Sequence, residues 1–124
     1  MDLDSLKRKG SWYHALRGIY IFVKNTRNFK FIHLPVYVVI LIFGFYFRVS
    51  AFEWIALVFC IGFMLVAEAF NSAIEVHMGL TSPEYHPHAR DTKDIAAGAV
   101  VLSGFVALVV LLIVFLPKIL TMLQ

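Results

Sequence analysis

The sequence predicts an all-α integral membrane protein, with an N-terminal amphipathic surface helix followed by three transmembrane helices. Hydrophobic residues make up 60% of the 124 residues and the mean hydropathy is +0.80, well above the roughly 45–50% apolar usage of soluble domains. Three apolar runs of membrane-spanning length, about 29–47, 52–78 and 94–116, are separated by short polar breaks. Most charged residues flank these runs, as membrane topology requires. Residues 1–124 are short enough for a single domain.

From about Leu6 to Lys24 the apolar residues Trp12, Leu16, Ile19, Tyr20 and Val23 recur at helical spacing, with His14, Arg17 and Lys24 on the polar side. This pattern suits a helix lying in a membrane surface, its basic residues toward anionic headgroups. Asn25 to Lys30 is a polar break. The first span, 29–47, carries Pro35 near its start, in the first turn or as a kink, and Arg48 ends it. Ser50-Ala51-Phe52-Glu53 is a capping-box pattern that starts the second helix at once. The connection is therefore a tight hairpin, with Tyr46 and Trp54 placed to anchor at its interface. The second helix, 52–78, outruns a hydrocarbon core of roughly 30 Å, and Gly79 is expected to end it. A turn-rich loop, Leu80 to Arg90, holds Pro83 and Pro87. Asp91 or Thr92 is expected to cap the third helix, 94–116, which Pro117-Lys118 closes. Ala97, Gly98, Ala99, Ser103 and Gly104 give that helix a small-residue stripe suited to close packing.

The bulk numbers exclude several classes. No nucleic-acid motif accompanies the net charge of +3. The single cysteine, Cys60, forms no internal disulfide and reads as a small core residue. The first long apolar run starts near Phe31 with no small-residue cleavage site after it, so a cleaved signal peptide is not expected. His77, His86 and His88 fit no zinc spacing and read as exposed histidines. With three spans, Lys7, Arg8, Lys9, Arg17, Lys24, Arg27, Lys30, Arg90 and Lys93 fall on one side and only Arg48 and Lys118 on the other. The positive-inside rule makes the first side cytoplasmic.

The exceptions to the apolar pattern carry the chemistry. Glu68, Asn71 and Glu75 stand at i, i+3 and i+7 near the cytoplasmic end of the second helix. At about 100° per residue they share one face. Ionisable groups inside a span are costly and commonly face a bundle interior or a water-filled site; the plainer reading is hydrogen bonding that holds helices together. Across one short loop stands Lys93-Asp94, expected in the first turn of the third helix. A lysine there opposes the helix dipole and calls for an anion such as phosphate, unless it snorkels to the headgroups. The parts suit phosphoryl transfer: Glu68 to take a hydroxyl proton, Glu75 to hold Mg²⁺ on nucleotide phosphates, Lys93 to neutralise their charge. No Walker A or kinase glycine-rich loop is present, and spacing alone does not name the reaction.

Three stretches do more. Glu68-Ala-Phe-Asn71-Ser-Ala-Ile-Glu75, then Ser82-Pro-Glu-Tyr-His-Pro87, then Lys93-Asp94-Ile-Ala-Ala-Gly-Ala-Val100 resemble the prokaryotic diacylglycerol kinase family, which includes undecaprenol kinases. The resemblance covers nearly the whole chain. It implies a homotrimer in the bacterial inner membrane, multi-pass, with its N-terminus and active sites on the cytoplasmic side and each site between subunits. It implies an ATP- and Mg²⁺-dependent lipid kinase acting on the hydroxyl of diacylglycerol or undecaprenol, in phospholipid or cell-envelope lipid recycling. By the same resemblance Glu68 is the general base, Asn71 lies beside it in the catalytic site and Glu75 is the metal ligand. Lys93 contacts nucleotide phosphates, Asp94 lies on the nucleotide side, and Arg17 and His14 are candidate N-terminal nucleotide contacts. The loop and the start of the third helix look closer to the undecaprenol-kinase branch. Two positions depart from the family pattern. Thr26 stands where the family usually carries a glutamate, and Gly79 where it often has an aspartate. Both reduce negative charge around the metal. They motivate one rival, a catalytically impaired or non-catalytic membrane protein of the same fold. A second rival is a small transporter or proton-relay subunit using Glu68 and Glu75.

Overall fold

The computed structural model describes residues 4, 10–26 and 29–124. Its elements are α1 (Ser11–Asn25), a π-helical turn (Phe29–His33), α2 (Leu34–Tyr46), α3 (Ala51–Thr81) and α4 (Pro87–Met122). The expected start of the surface helix at 6–9 lies outside the described residues, as do Lys7, Arg8, Lys9, Arg27 and the side chain of Lys30.

α1 follows Gly10 and ends at Thr26, whose N–H donates to the carbonyl of Phe22 at 3.0 Å. Lys24 in its last turn complements the helix dipole. No residue of α1 is buried, and Trp12 is 82% exposed. Trp12, Leu16, Ile19 and Tyr20 of its apolar face stand more than 60% exposed, as expected of a helix that lies against lipid.

The first apolar segment is continuous with the π-helical turn that precedes it. Pro35, in the opening positions of α2, has no N–H to return to the preceding turn, and its ring crowds the carbonyl four residues earlier. The backbone there takes the wider i→i+5 spacing instead. α2 closes in a Schellman pair: Val49 N–H donates to Gly44 O at 3.2 Å and Arg48 N–H to Phe45 O at 3.3 Å. Arg48 sits at φ 49°, in the left-handed region that glycine usually fills. The capping box follows at once, with Glu53 N–H donating to Ser50 Oγ at 3.2 Å and Ser50 N–H to Glu53 Oε1 at 3.3 Å. Trp54 turns inward rather than toward lipid. It packs 4.8 Å, centroid to centroid, from Phe45 and covers Gly44.

α3 does not stop at Gly79. It runs on to Thr81, whose hydroxyl donates to His77 O at 2.9 Å. Ser82 ends it, because the residue before Pro83 is driven out of the helical region. α4 begins not near Asp94 but at Pro87, a residue suited to a first helical position. His86 caps it through Nδ1, which accepts from His88 N–H at 3.2 Å; Asp91 and Thr92 lie inside the helix. Nor does Pro117-Lys118 close it. Lys118 Nζ reaches Glu53 Oε2 at 3.1 Å and Ile119 packs on the core, so the helix is held past its proline to Met122.

α3 and α4 are long and apolar enough to cross a membrane, whereas the apolar helix Phe31–Tyr46 is shorter. The two long helices pack antiparallel. Their core gathers Ile40, Val49, Leu57, Val114 and Phe115, at the hairpin end. The small residues buried on α4 are Ala96, Ser103 and Ala107. Gly98 and Gly104 of the expected stripe have open space where a Cβ would point. The dry core thus fixes one end of the molecule and leaves the other end open around Glu68.

Candidate active site

Glu68 sits roughly 17 Å along α3 from Leu57, at 1.5 Å per residue. Its side chain is 3% exposed. A cleft of about 660 Å³ between α1 and α3 is lined by Glu68, Ser72 and Glu75 from α3 and by Gly18, Asn25 and Thr26 from the surface-helix side. Thr26 Oγ1 and Ser72 Oγ are hydrogen-bonded at 3.3 Å and tie the end of α1 to α3. Glu75, about two turns beyond Glu68 on α3, is exposed in the same cleft. The arrangement joins a buried carboxylate to a solvated one across a shared opening.

Asn71 is buried at 8% but faces away from that cleft. It lines a separate groove of about 460 Å³ between α3 and α4, with Thr92 and Ala96. Lys93 and Asp94 line a third pocket, of about 290 Å³, under the loop residues Glu84, Tyr85 and His86. Because α4 starts at Pro87, Lys93 is past the first turn and the helix-dipole argument for an anion does not apply to it. Asp94 Oδ2 pairs with Arg90 Nε at 3.7 Å on an exposed face. Arg17 is exposed on α1 and is not among the cleft residues. Within one chain, then, Glu68 and Glu75 come together while Asn71, Lys93, Asp94 and Arg17 lie elsewhere.

The cleft suits a hard cation in a limited sense. Its polar side chains are oxygen donors, apart from the amide nitrogen of Asn25. Among the described residues no three His, Cys, Asp or Glu side chains are grouped to hold an ion by themselves. Mg²⁺ is typically held by one or two carboxylates with the rest of its shell from water and substrate phosphates. Glu75 fits that role, and the neutral Thr26–Ser72 pair leaves it without an acidic companion at that wall of the cleft.

His33, on the π-helical turn, went unread in the sequence. Its Nδ1 lies 3.8 Å from Glu68 Oε2, and its ring stacks on Tyr37 at 6.1 Å with planes 14° apart. The described buried side-chain atoms with no hydrogen-bond partner are His33 Nδ1, Tyr37 OH and Asn71 Oδ1. Unsatisfied buried polar atoms are uncommon, and these belong to residues around the Glu68 segment. The signal was available: a histidine inside an apolar run is as exceptional as a glutamate.

The prokaryotic diacylglycerol kinase family model matches residues 13–115, from α1 to the last two turns of α4. The chain is also similar to the undecaprenol kinase of Bacillus subtilis (strain 168), 39% identical over 108 residues that make up 87% of each chain. No solved structure matches it. Glu68, Asn71, Glu75, Lys93, Asp94, Arg17 and His33 all lie within the matched residues. The chain therefore belongs to the prokaryotic diacylglycerol kinase family and is a lipid kinase.

Proposed function

We propose that this lipid kinase uses ATP and Mg²⁺ to phosphorylate undecaprenol at the cytoplasmic face of the bacterial inner membrane, as a homotrimer of single-domain, three-span subunits. The product would return to cell-envelope lipid recycling. Diacylglycerol is the alternative substrate. The observation that carries the reading is the Glu68 carboxylate, 3% exposed, at a cleft that opens to the exposed Glu75. Similarity to the Bacillus subtilis undecaprenol kinase supports the choice of lipid. The basic excess on the α1 side supports the orientation.

In this reading Glu68 accepts the proton of the lipid hydroxyl as its oxygen attacks the γ-phosphorus of ATP. The bond from that phosphorus to the β–γ bridging oxygen breaks, and ADP leaves. Glu75 would hold Mg²⁺, which would supply neutralisation of the charge developing on the phosphates. Lys93 contributes positive charge to the same phosphates, and Asp94 and Arg17 border the nucleotide. Asn71, with its unpaired Oδ1, completes the polar lining beside the base. Because Lys93 and Glu68 open on different pockets of one chain, a site built between two subunits reconciles their roles.

Transfer of labelled phosphate from ATP in mixed micelles, offering undecaprenol and diacylglycerol in parallel, tests the reading. Transfer to undecaprenol, lost in Glu68→Gln with assembly intact, is expected. An equally active Glu68→Gln removes Glu68 as the base. No transfer to either lipid from well-assembled protein with ample Mg²⁺ favours a non-catalytic relative, for which Thr26 in place of an acid is the specific motive.

A further inference from the structure

We propose that His33 is the positioning residue for Glu68: its Nδ1–H donates to Glu68 Oε2 and holds the carboxylate in the orientation that accepts the substrate proton. The inference rests on the assignment of Glu68 as the base.

The physical case begins with burial. An ionised carboxylate at 3% exposure is strongly disfavoured unless it is paired and hydrogen-bonded. Among the described residues, His33 Nδ1 is the cationic-capable group paired with Glu68, at 3.8 Å and itself 12% exposed. The separation is about an ångström longer than a charge-assisted N–H···O bond, which spans about 2.7–2.9 Å. Catalytic hydrogen bonds are commonly long without substrate and tighten in the complex. Among the described residues His33 Nδ1 has no hydrogen-bond partner that competes for that donor.

The backbone aims this donor. His33 ends the π-helical turn directly before α2, and a wider turn changes the direction in which its last side chain leaves the helix. Tyr37, one turn on, stacks its ring nearly parallel to the imidazole and limits rotation of the ring plane. One oxygen of Glu68 is thereby tied, and the other is left to accept. The arrangement follows the general logic in which a third group orients the base, here applied to a carboxylate in a membrane.

The chemistry dictates the variants. The side-chain amide nitrogen of asparagine overlays Nδ1 of histidine, so His33→Asn keeps the donor, whereas His33→Leu removes it at similar volume. Both are compared with wild type and Glu68→Gln in full-length protein in mixed micelles, with kcat and the KM for ATP measured separately. The expected result is a kcat about 10–100-fold lower in His33→Leu, the scale of a base displaced by about an ångström. KM for ATP should stay within about twofold and His33→Asn should recover most of the lost kcat. A His33→Leu enzyme with wild-type kcat overturns the proposal, and so does a His33→Asn enzyme as slow as His33→Leu. A second measurement does not depend on turnover. The ring nitrogen-15 resonance of His33, identified by its absence in His33→Asn, should move in Glu68→Gln. An unmoved resonance overturns the contact even where the wild type phosphorylates lipid. A moved resonance in a chain that transfers no phosphate keeps the contact and sinks the kinase reading instead.

Discussion

At the scale of single residues, the polar exceptions within apolar runs carried the most information. Glu68, Asn71 and Glu75 were legible as polar exceptions at i, i+3, i+7 on one helix, of which the structure buries Glu68 and Asn71 and leaves Glu75 exposed. What spacing could not give was the division of that face between two openings, since this depends on where α1 and α4 lie. His33 was missed for a related reason: it belongs to another segment, and only tertiary packing brings it to Glu68. Gly44 also acquires its meaning from packing. A Cβ built there falls 2.5 Å from the Trp54 ring. Gly44→Ala should therefore destabilise the chain by about 1–3 kcal/mol, the usual penalty for overpacking. Unfolding monitored in micelles checks this, and combining it with Trp54→Leu should restore part of the loss. Wild-type stability in Gly44→Ala would mean that the ring yields freely.

At the scale of elements, a boundary was read correctly where a local pattern fixes it and was misplaced where a single residue was taken as the signal. The Ser50–Glu53 capping box is a local hydrogen-bond pattern written in four residues, and it forms as read. Gly79 and Pro117 only weaken a helix, and each is overruled by its surroundings: α3 continues to the turn before Pro83, and α4 is held by the Lys118–Glu53 pair. Propensity is a weak prior that tertiary contacts override. Two predictions belong to these junctions. Arg48 occupies a left-handed position at φ 49°, so Arg48→Gly relieves backbone strain and should stabilise the hairpin by about 0.5–1 kcal/mol after the entropy of glycine is counted. Denaturant or thermal midpoints measure that directly, and a lower midpoint would show that the arginine side chain matters more than its backbone. Pro35→Ala returns an N–H to the first turn of α2 and should let the π-helical turn revert to α spacing. The expected outcome is a kcat about tenfold lower from a misaimed His33, with no loss of unfolding stability. Undiminished turnover would show that the turn is not what directs the histidine.

At the scale of the whole molecule, the single chain is open. Its accessible surface is 9470 Å², against about 6,700 Å² for a compact soluble protein of its mass by the usual scaling. Large apolar residues such as Phe59, Phe70 and Phe105 stand more than 60% exposed along α3 and α4. In the proposed homotrimer, lipid would cover part of that surface and neighbouring subunits the rest. The separation of Lys93 from Glu68 makes the division testable, because two defects in one site can be carried by different chains. In a cyclic homotrimer whose sites lie between subunits, each site takes Glu68 from one chain and Lys93 from its neighbour. Glu68→Gln and Lys93→Ala chains, each nearly inactive when assembled alone, should therefore complement each other when denatured together and reassembled. In an equal, random mixture a given site needs an intact Glu68 from a Lys93→Ala chain beside an intact Lys93 from a Glu68→Gln chain. Each condition holds half the time, so activity should return to about a quarter of wild type. A mixture no more active than its parents would place both residues in a site within one chain, and α4 would then have to swing its Lys93 pocket toward the α1 cleft during turnover.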